Sequence, residues 1–249
     1  MRAQDLEPEM EALLRRVVPD VDRQWQGASD REIDDIERLA GRPLPRFYRW
    51  FLMRMGHGMG SMRYRSLDFT AHKVLSAYAE GLFEPNPRFF MIGHDDDELM
   101  SLHLVYDFEH PARDDARVTK RHALGGPSHH QYETFREMIA WGQLLTGGVE
   151  KYPHQCRVSM RDDRGDVLSV LTPVMADMGF AIPIATGPYC GLFERADAAA
   201  VSSATVGEQP NLHFLYLGGP DQGMLRRILG VVAKETSLEV KVTDWKSLS

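Results

Sequence analysis

The sequence predicts an α+β protein made of two domains, and three observations carry that prediction. Apolar residues recur at helical spacing in several blocks, as in Ile33, Ile36, Leu39 and Ala40. Short apolar or alternating runs of strand length lie between those blocks, as in Phe89-Phe90-Met91-Ile92 and in Cys156, Val158 and Met160. The charge is unevenly placed, with nearly all of the net −7 in residues 1–150, which suggests two units with different surfaces. Thr146-Gly147-Gly148 closes a helical block. The expected domains are therefore 1–148 and 149–249.

In chain order, Leu6, Met10, Leu13, Leu14, Val17 and Val18 form a helical stripe that Pro19 ends. Ser29 is placed as an N-cap, and Glu32 stands three residues on, as a capping box requires. Gly41 suits the left-handed conformation that stops a helix. Pro43 and Pro45 stiffen the link to a second, strongly apolar helix with Phe47, Tyr48, Trp50, Phe51 and Leu52. Gly56, Gly58 and Gly60 end it. Residues 63–69 read as a short strand, and Thr70 caps a helix with Val74, Leu75, Tyr78 and Leu82. Strands follow at 89–92, 99–108 and 117–121, then a helix over 131–145.

The second half opens with a half-buried strand and a turn at Asp162-Asp163-Arg164-Gly165. Residues 167–178 have helical periodicity, which Pro173 is expected to kink or interrupt. Residues 180–184 and 189–193 read as extended, and 196–210 as a small-residue mobile loop. A strand at 212–217, a helix at 224–234 and a strand at 238–242 complete a β-α-β-β-α-β order, that of a ferredoxin-like sandwich with extra extended residues.

Composition bounds the function classes. With 43% hydrophobic and 26% charged residues in 249, the chain can bury a core. No run is long and apolar enough for a membrane span. The N-terminus shows no signal-peptide pattern, and Cys156 and Cys190 have no CxxC spacing, so a cytoplasmic location is expected. The acidity argues against direct nucleic-acid binding and for a basic protein partner.

The pattern over residues 29–52 resembles the SUKH superfamily, the Smi/Knr-type domain of bacterial toxin-immunity proteins and fungal cell-wall regulators. It consists of the capped helix with Glu32-Ile33 and Ile36-Glu37, then Leu39-Ala40-Gly41, Leu44-Pro45, Tyr48 and Phe51-Leu52. Ile92-Gly93-His94-Asp95 and the later helix with Phe135 fit the same order, so the resemblance covers about residues 5–145. The chain departs from it at Met55-Gly56-His57, where many members have Asn-Gly, and at Asp96-Asp97-Glu98, where glycines usually follow the aspartate. The resemblance implies an α+β domain whose surface covers the active site of a cognate toxin. It says nothing of residues 149–249.

Candidate sites are few. Asp95, Asp96, Asp97 and Glu98 form the densest acidic cluster. It lacks the alternating ligands and sixth-position glycine of a calcium loop, so it reads as a solvated turn that faces a partner. The adjacent His129-His130 and the scattered His94, His103 and His110 show no zinc spacing. No GxSxG elbow occurs, and Gly218-Gly219-Pro220 lacks nucleotide-binding spacing and reads as a helix-starting turn. Trp25, Trp50 and Trp141 are expected in cores, whereas Trp245 is a candidate exposed anchor. The expectation is a non-enzymatic protein-binding module with no catalytic residues, metal or cofactor. Its partner would be a protein toxin, such as a basic nuclease, and a homo-oligomer is compatible with the sequence. The alternative is a ligand-sensing or scaffolding regulator whose C-terminal domain binds a small molecule or dimerises.

Overall fold

The computed structural model describes residues 7–62, 64, 66–97, 101–163 and 165–247. The protein is α+β, with two five-stranded antiparallel sheets among the described residues. It divides into two compact units. One comprises Met1–Pro8 with Val18–Arg136, and the other Glu9–Val17 with Glu137–Ser249. The first helix, α1 (Pro8–Val17), thus belongs almost wholly to the second unit. The division falls upstream of the boundary expected after residue 148, because compactness follows burial and not the glycine pair.

The first unit contains α2 (Val21–Gln24), α3 (Asp30–Ala40) and α4 (Arg46–Met55), then β1 (Leu67–Asp68) and α5 (Ala71–Ala79). Strands β2 (Phe89–Asp95), β3 (His103–Ala112), β4 (Asp115–Arg121) and β5 (His129–Tyr132) complete it, in the order β1-β2-β3-β4-β5. The capping box forms at α3: Ser29 Oγ accepts from Glu32 N at 3.3 Å, and Glu32 Oε2 accepts from Ser29 N at 2.9 Å. The Ser29 hydroxyl, its N–H and then His57 hold the Glu32 carboxyl down to about 2. Gly41, at φ 64, ends the helix. Gly56 sits so tightly that a Cβ would lie 2.5 Å from Leu52 O and 2.6 Å from Ala28 Cβ. Phe135 centres the aromatic core, with ring centroids 5.0 Å from Phe51 and 5.9 Å from Tyr48. Buried Asp115 accepts from Phe135 N at 2.9 Å, and burial pushes its carboxyl up to about 6.

Two expectations are corrected here. The helix expected from residue 131 starts at Phe135, and residues 131–132 belong instead to β5, which pairs with β4. Of the strand expected over 63–69, residues 63 and 65 lie outside the described residues, and Leu67–Asp68 is the strand among the others.

The second unit begins with most of α6 (Phe135–Leu144) and a π-turn (Leu145–Val149). Then come β6 (His154–Arg161), α7 (Val167–Asp177), β7 (Cys190–Arg195), β8 (Ala198–Ser203), β9 (Leu212–Gly219), α8 (Gln222–Glu235) and β10 (Glu239–Ser247). The sheet order is β10-β6-β9-β8-β7. Leaving out edge strand β7, the order β10-β6-β9-β8 with crossovers α7 and α8 is that of a ferredoxin-like sandwich. Both helices share one core with the sheet: Val167, Leu171 and Met175 of α7 and Leu225, Ile228 and Val232 of α8 meet Val158, Ala200 and Leu217. The opposite face of β8 and β9 takes the π-turn, and a Cβ on Gly218 would lie 2.3 Å from Val149 O. Trp141 packs edge-on against Tyr216 at 5.8 Å.

Residues 198–203, expected as mobile loop, are strand. Small side chains there allow close layer packing, and a Cβ on Gly148 would lie 3.5 Å from the Ala199 Cβ. Pro173 sits inside α7 without interrupting it. It lies on the exposed side of the helix. Trp245 is not an exposed anchor: it packs on the core, with the Arg226 guanidinium 5.5 Å from its ring. Gly218-Gly219-Pro220 does lead into a helix, capped by Asp221, whose Oδ1 accepts from Met224 N at 2.7 Å.

Candidate functional site

The acidic turn follows from how β2 ends. Asp95 is the last residue of that strand and is 4% exposed. Its carboxylate accepts from Asp97 N at 3.1 Å and Leu102 N at 3.3 Å, and its own N–H donates to His103 Nδ1 at 3.1 Å. Asp95 therefore staples the turn and presents no charge to a partner. Asp96 is exposed and pairs with His94 Nδ1 at 3.1 Å and Lys73 Nζ at 3.5 Å. Asp97 is exposed. Glu98 lies outside the described residues. The three described carboxylates of the predicted patch thus have different roles: Asp95 turns inward, and Asp96 and Asp97 are exposed. His103 is buried against His94, with ring centroids 4.8 Å apart. Burial first, then the neighbouring His94, pushes its imidazole down to about 4, so it is neutral and accepts through Nδ1.

Beside this turn the first unit has a groove of about 340 Å³, which the sequence reading missed. Met55, Met59, Met62, Tyr64, Leu67 and Phe69 supply its apolar lining, and Ser66, Asp68, Thr70 and Asp96 its polar rim. Three methionines within eight residues of the exit of α4 were the available signal. Their convergence depends on the turn that follows the helix.

The second unit has a larger cavity, of about 510 Å³, beside β7 and the first turn of α7. Leu168, Pro173, Ile182, Pro188, Leu192 and Phe193 give it apolar walls, and Asp166, Ser169, Thr172 and Thr186 are its polar side chains. Its outer wall is pinned. Glu137 Oε1 accepts from Gly187 N at 2.6 Å, and Nε2 of His213 donates to Pro188 O at 3.1 Å. The other nitrogen of His213 accepts from the Ser202 hydroxyl at 2.9 Å. Ser202 and His213 are both fully buried. Burial pushes the imidazole down to about 4. This pair has the composition of a nucleophile and base, yet Nε2 is engaged with a carbonyl and no surface reaches the serine. It acts as a structural tie.

Nucleophile and metal chemistry find little else. Cys156 and Cys190 are buried and reduced, and burial pushes the Cys156 thiol up to about 12, which keeps it protonated and inert. Among the described residues no group of three His, Cys, Asp or Glu is arranged to hold a metal ion. No helix among them is long and apolar enough to cross a membrane. No family model, no characterised protein and no solved structure matches the chain.

Proposed function

We propose that the first unit is a SUKH-type protein-binding module and that the chain neutralises a cognate toxin in the cytoplasm, without catalysing a reaction. The observation that carries this reading is the methionine-lined groove with Asp68 and Asp96 on its rim and Asp97 in the adjoining turn. Methionine side chains adapt to the shape of an inserted apolar anchor. Carboxylates around such a groove steer a basic surface toward it and fix its register. The excess of acidic residues over the first 150 acts in the same direction at longer range. A basic nuclease has the complementary chemistry, since its own substrate is a polyanion.

The test is co-expression with the neighbouring reading frame, scoring survival and co-purification. Rescue with one-to-one co-purification is expected. The double variant Asp96→Asn with Asp97→Asn should slow association at low salt by about tenfold and leave dissociation nearly unchanged. Unaltered association kinetics would remove the acidic turn from the interface. No rescue and no complex would overturn the immunity reading itself.

A further inference from the structure

Strand β10 is an edge of the second sheet. It spans nine residues, and its one strand neighbour among the described residues is β6. Glu239, Lys241, Val242, Thr243, Asp244 and Lys246 are all exposed. An edge of this length offers a row of main-chain donors and acceptors to another strand. Its register against β6 shows which side chains share a face. Val240, Val242 and Trp245 stand opposite Met160, Val158 and Cys156, which belong to the core. Glu239, Lys241, Asp244 and Lys246 stand opposite Arg161, Ser159, Arg157 and Gln155, on the other face. The register shifts between Val242 and Asp244, so one extra residue sits in the middle of the strand.

In an antiparallel pair, residues directly opposite each other share a face. Two copies of β10 related by a two-fold axis keep their faces matched on both sides of the bulge when the two bulges meet at the axis. Two registers do so. One sets Lys241 opposite Lys246 of the second copy, a like-charge contact. The other sets Glu239 opposite Lys246, Lys241 opposite Asp244 and Val240 opposite Trp245, with the axis between Val242 and Thr243. Opposite charges across a strand pair stabilise it and like charges destabilise it, so the charges select the second register. We propose that β10 pairs in this register with the β10 of a second copy of the chain, joining two five-stranded sheets into one of ten strands. Lysines and a bulge are common means of keeping an edge strand from pairing. Their placement here discourages other strands and leaves β10 complementary to itself. The axis stands perpendicular to the sheet, so both copies of α8 lie on the same face, beside the joint. The Arg226 guanidinium of α8 sits over the Trp245 ring, and exposed Gly230 and Ala233 follow one and two turns on along that flank. Their small size lets a second helix approach. This inference concerns the second unit alone and is independent of the toxin-neutralising reading, since two copies that each hold one toxin keep a one-to-one ratio.

The test is sedimentation velocity of the full-length protein from about 1 to about 200 μM, a range that covers a dimer of micromolar affinity. A species of twice 28.3 kDa is expected at the upper end. Lys241→Glu and Asp244→Lys each turn two attractive cross-strand pairs into repulsive ones and should weaken the dimer by about tenfold. Combining them restores opposite charges and should return the dimer to near its original strength, which two variants that merely misfold would not do. Lys241→Cys with Asp244→Cys should cross-link two copies on oxidation, because opposite residues meet disulfide geometry and residues three apart in one strand do not. Cys156 and Cys190 are buried and leave that readout clean. Lys241→Cys with Lys246→Cys, opposite in the rejected register, should not cross-link. A dimer insensitive to the charge reversals would place the contact on another surface and overturn the proposal. So would a monomer at every concentration, or cross-linking through positions 241 and 246 alone.

Discussion

Each unit pairs a five-stranded antiparallel sheet with helices, yet the two present different kinds of recess. The groove of the first unit is walled by methionines and rimmed by half-buried Asp68 and exposed Asp96, next to a turn held by one buried aspartate. The cavity of the second unit has a wall fixed at two points by buried Glu137 and His213. A pliant, charged surface suits a large partner whose shape it must follow. A pinned wall suits a small group of fixed geometry. The difference lies in what holds the walls, since both recesses are largely apolar.

The largest expected effect comes from removing a pin. His213→Ala would leave the Ser202 hydroxyl and the Pro188 carbonyl buried without partners, beside a new void. A loss of about 3 kcal/mol is expected, confined to the second unit and measurable as hydrogen exchange in β8 and β9. A uniform loss across both units would break the contrast.

Acid provides a second test. His213 and His103 are each buried and pushed down to about 4. Below about 6.5 the unfolded chain takes up protons that the folded histidines refuse, so stability falls as the pH drops from 6.5 toward 4. Asp115 has the opposite sign. Its folded carboxyl is raised to about 6, so it takes up a proton before the unfolded chain does and adds stability over the same window. The first unit holds both groups and the second only the histidine. Between pH 6.5 and 4 the second unit should lose on the order of 3 kcal/mol and the first distinctly less. Equal losses by unit-resolved exchange would show that Asp115 is ionised in the fold.

The smallest effect separates residues that are neighbours in sequence. Asp95→Ala should cost about 2 kcal/mol by freeing the N–H groups of Asp97 and Leu102. Asp96→Ala should stay within about 0.5 kcal/mol. Chemical denaturation of the two variants side by side checks this, and equal costs would mean that Asp95 is not a staple.

Much of the fold is legible in the chain because its signals are local. Ser29 with Glu32, Thr70 before α5, and Gly41 after α3 state where helices begin and end, and the alternation of Cys156, Val158 and Met160 marks β6. The missed elements lack such signals. Residues 198–203 are four small apolar residues and two serines, and nothing in that run distinguishes a loop from a strand until β7 and β9 lie on either side. His129 to Tyr132 is likewise strand because β4 offers it partners. The candidate sites were the least legible: four consecutive carboxylates look alike in sequence, and His103 and Leu102 decide that one of them turns inward.

By itself, then, the sequence determined the α+β class, the capping box of α3, the helix positions of the second half and the acidic bias, all set by side chains a few residues apart or by composition. Only the tertiary structure decided which aspartates face solvent, where three methionines meet, and that Ser202 and His213 are buried together. Those properties depend on pairing and burial between distant segments, and no local pattern encodes which partner a group will find.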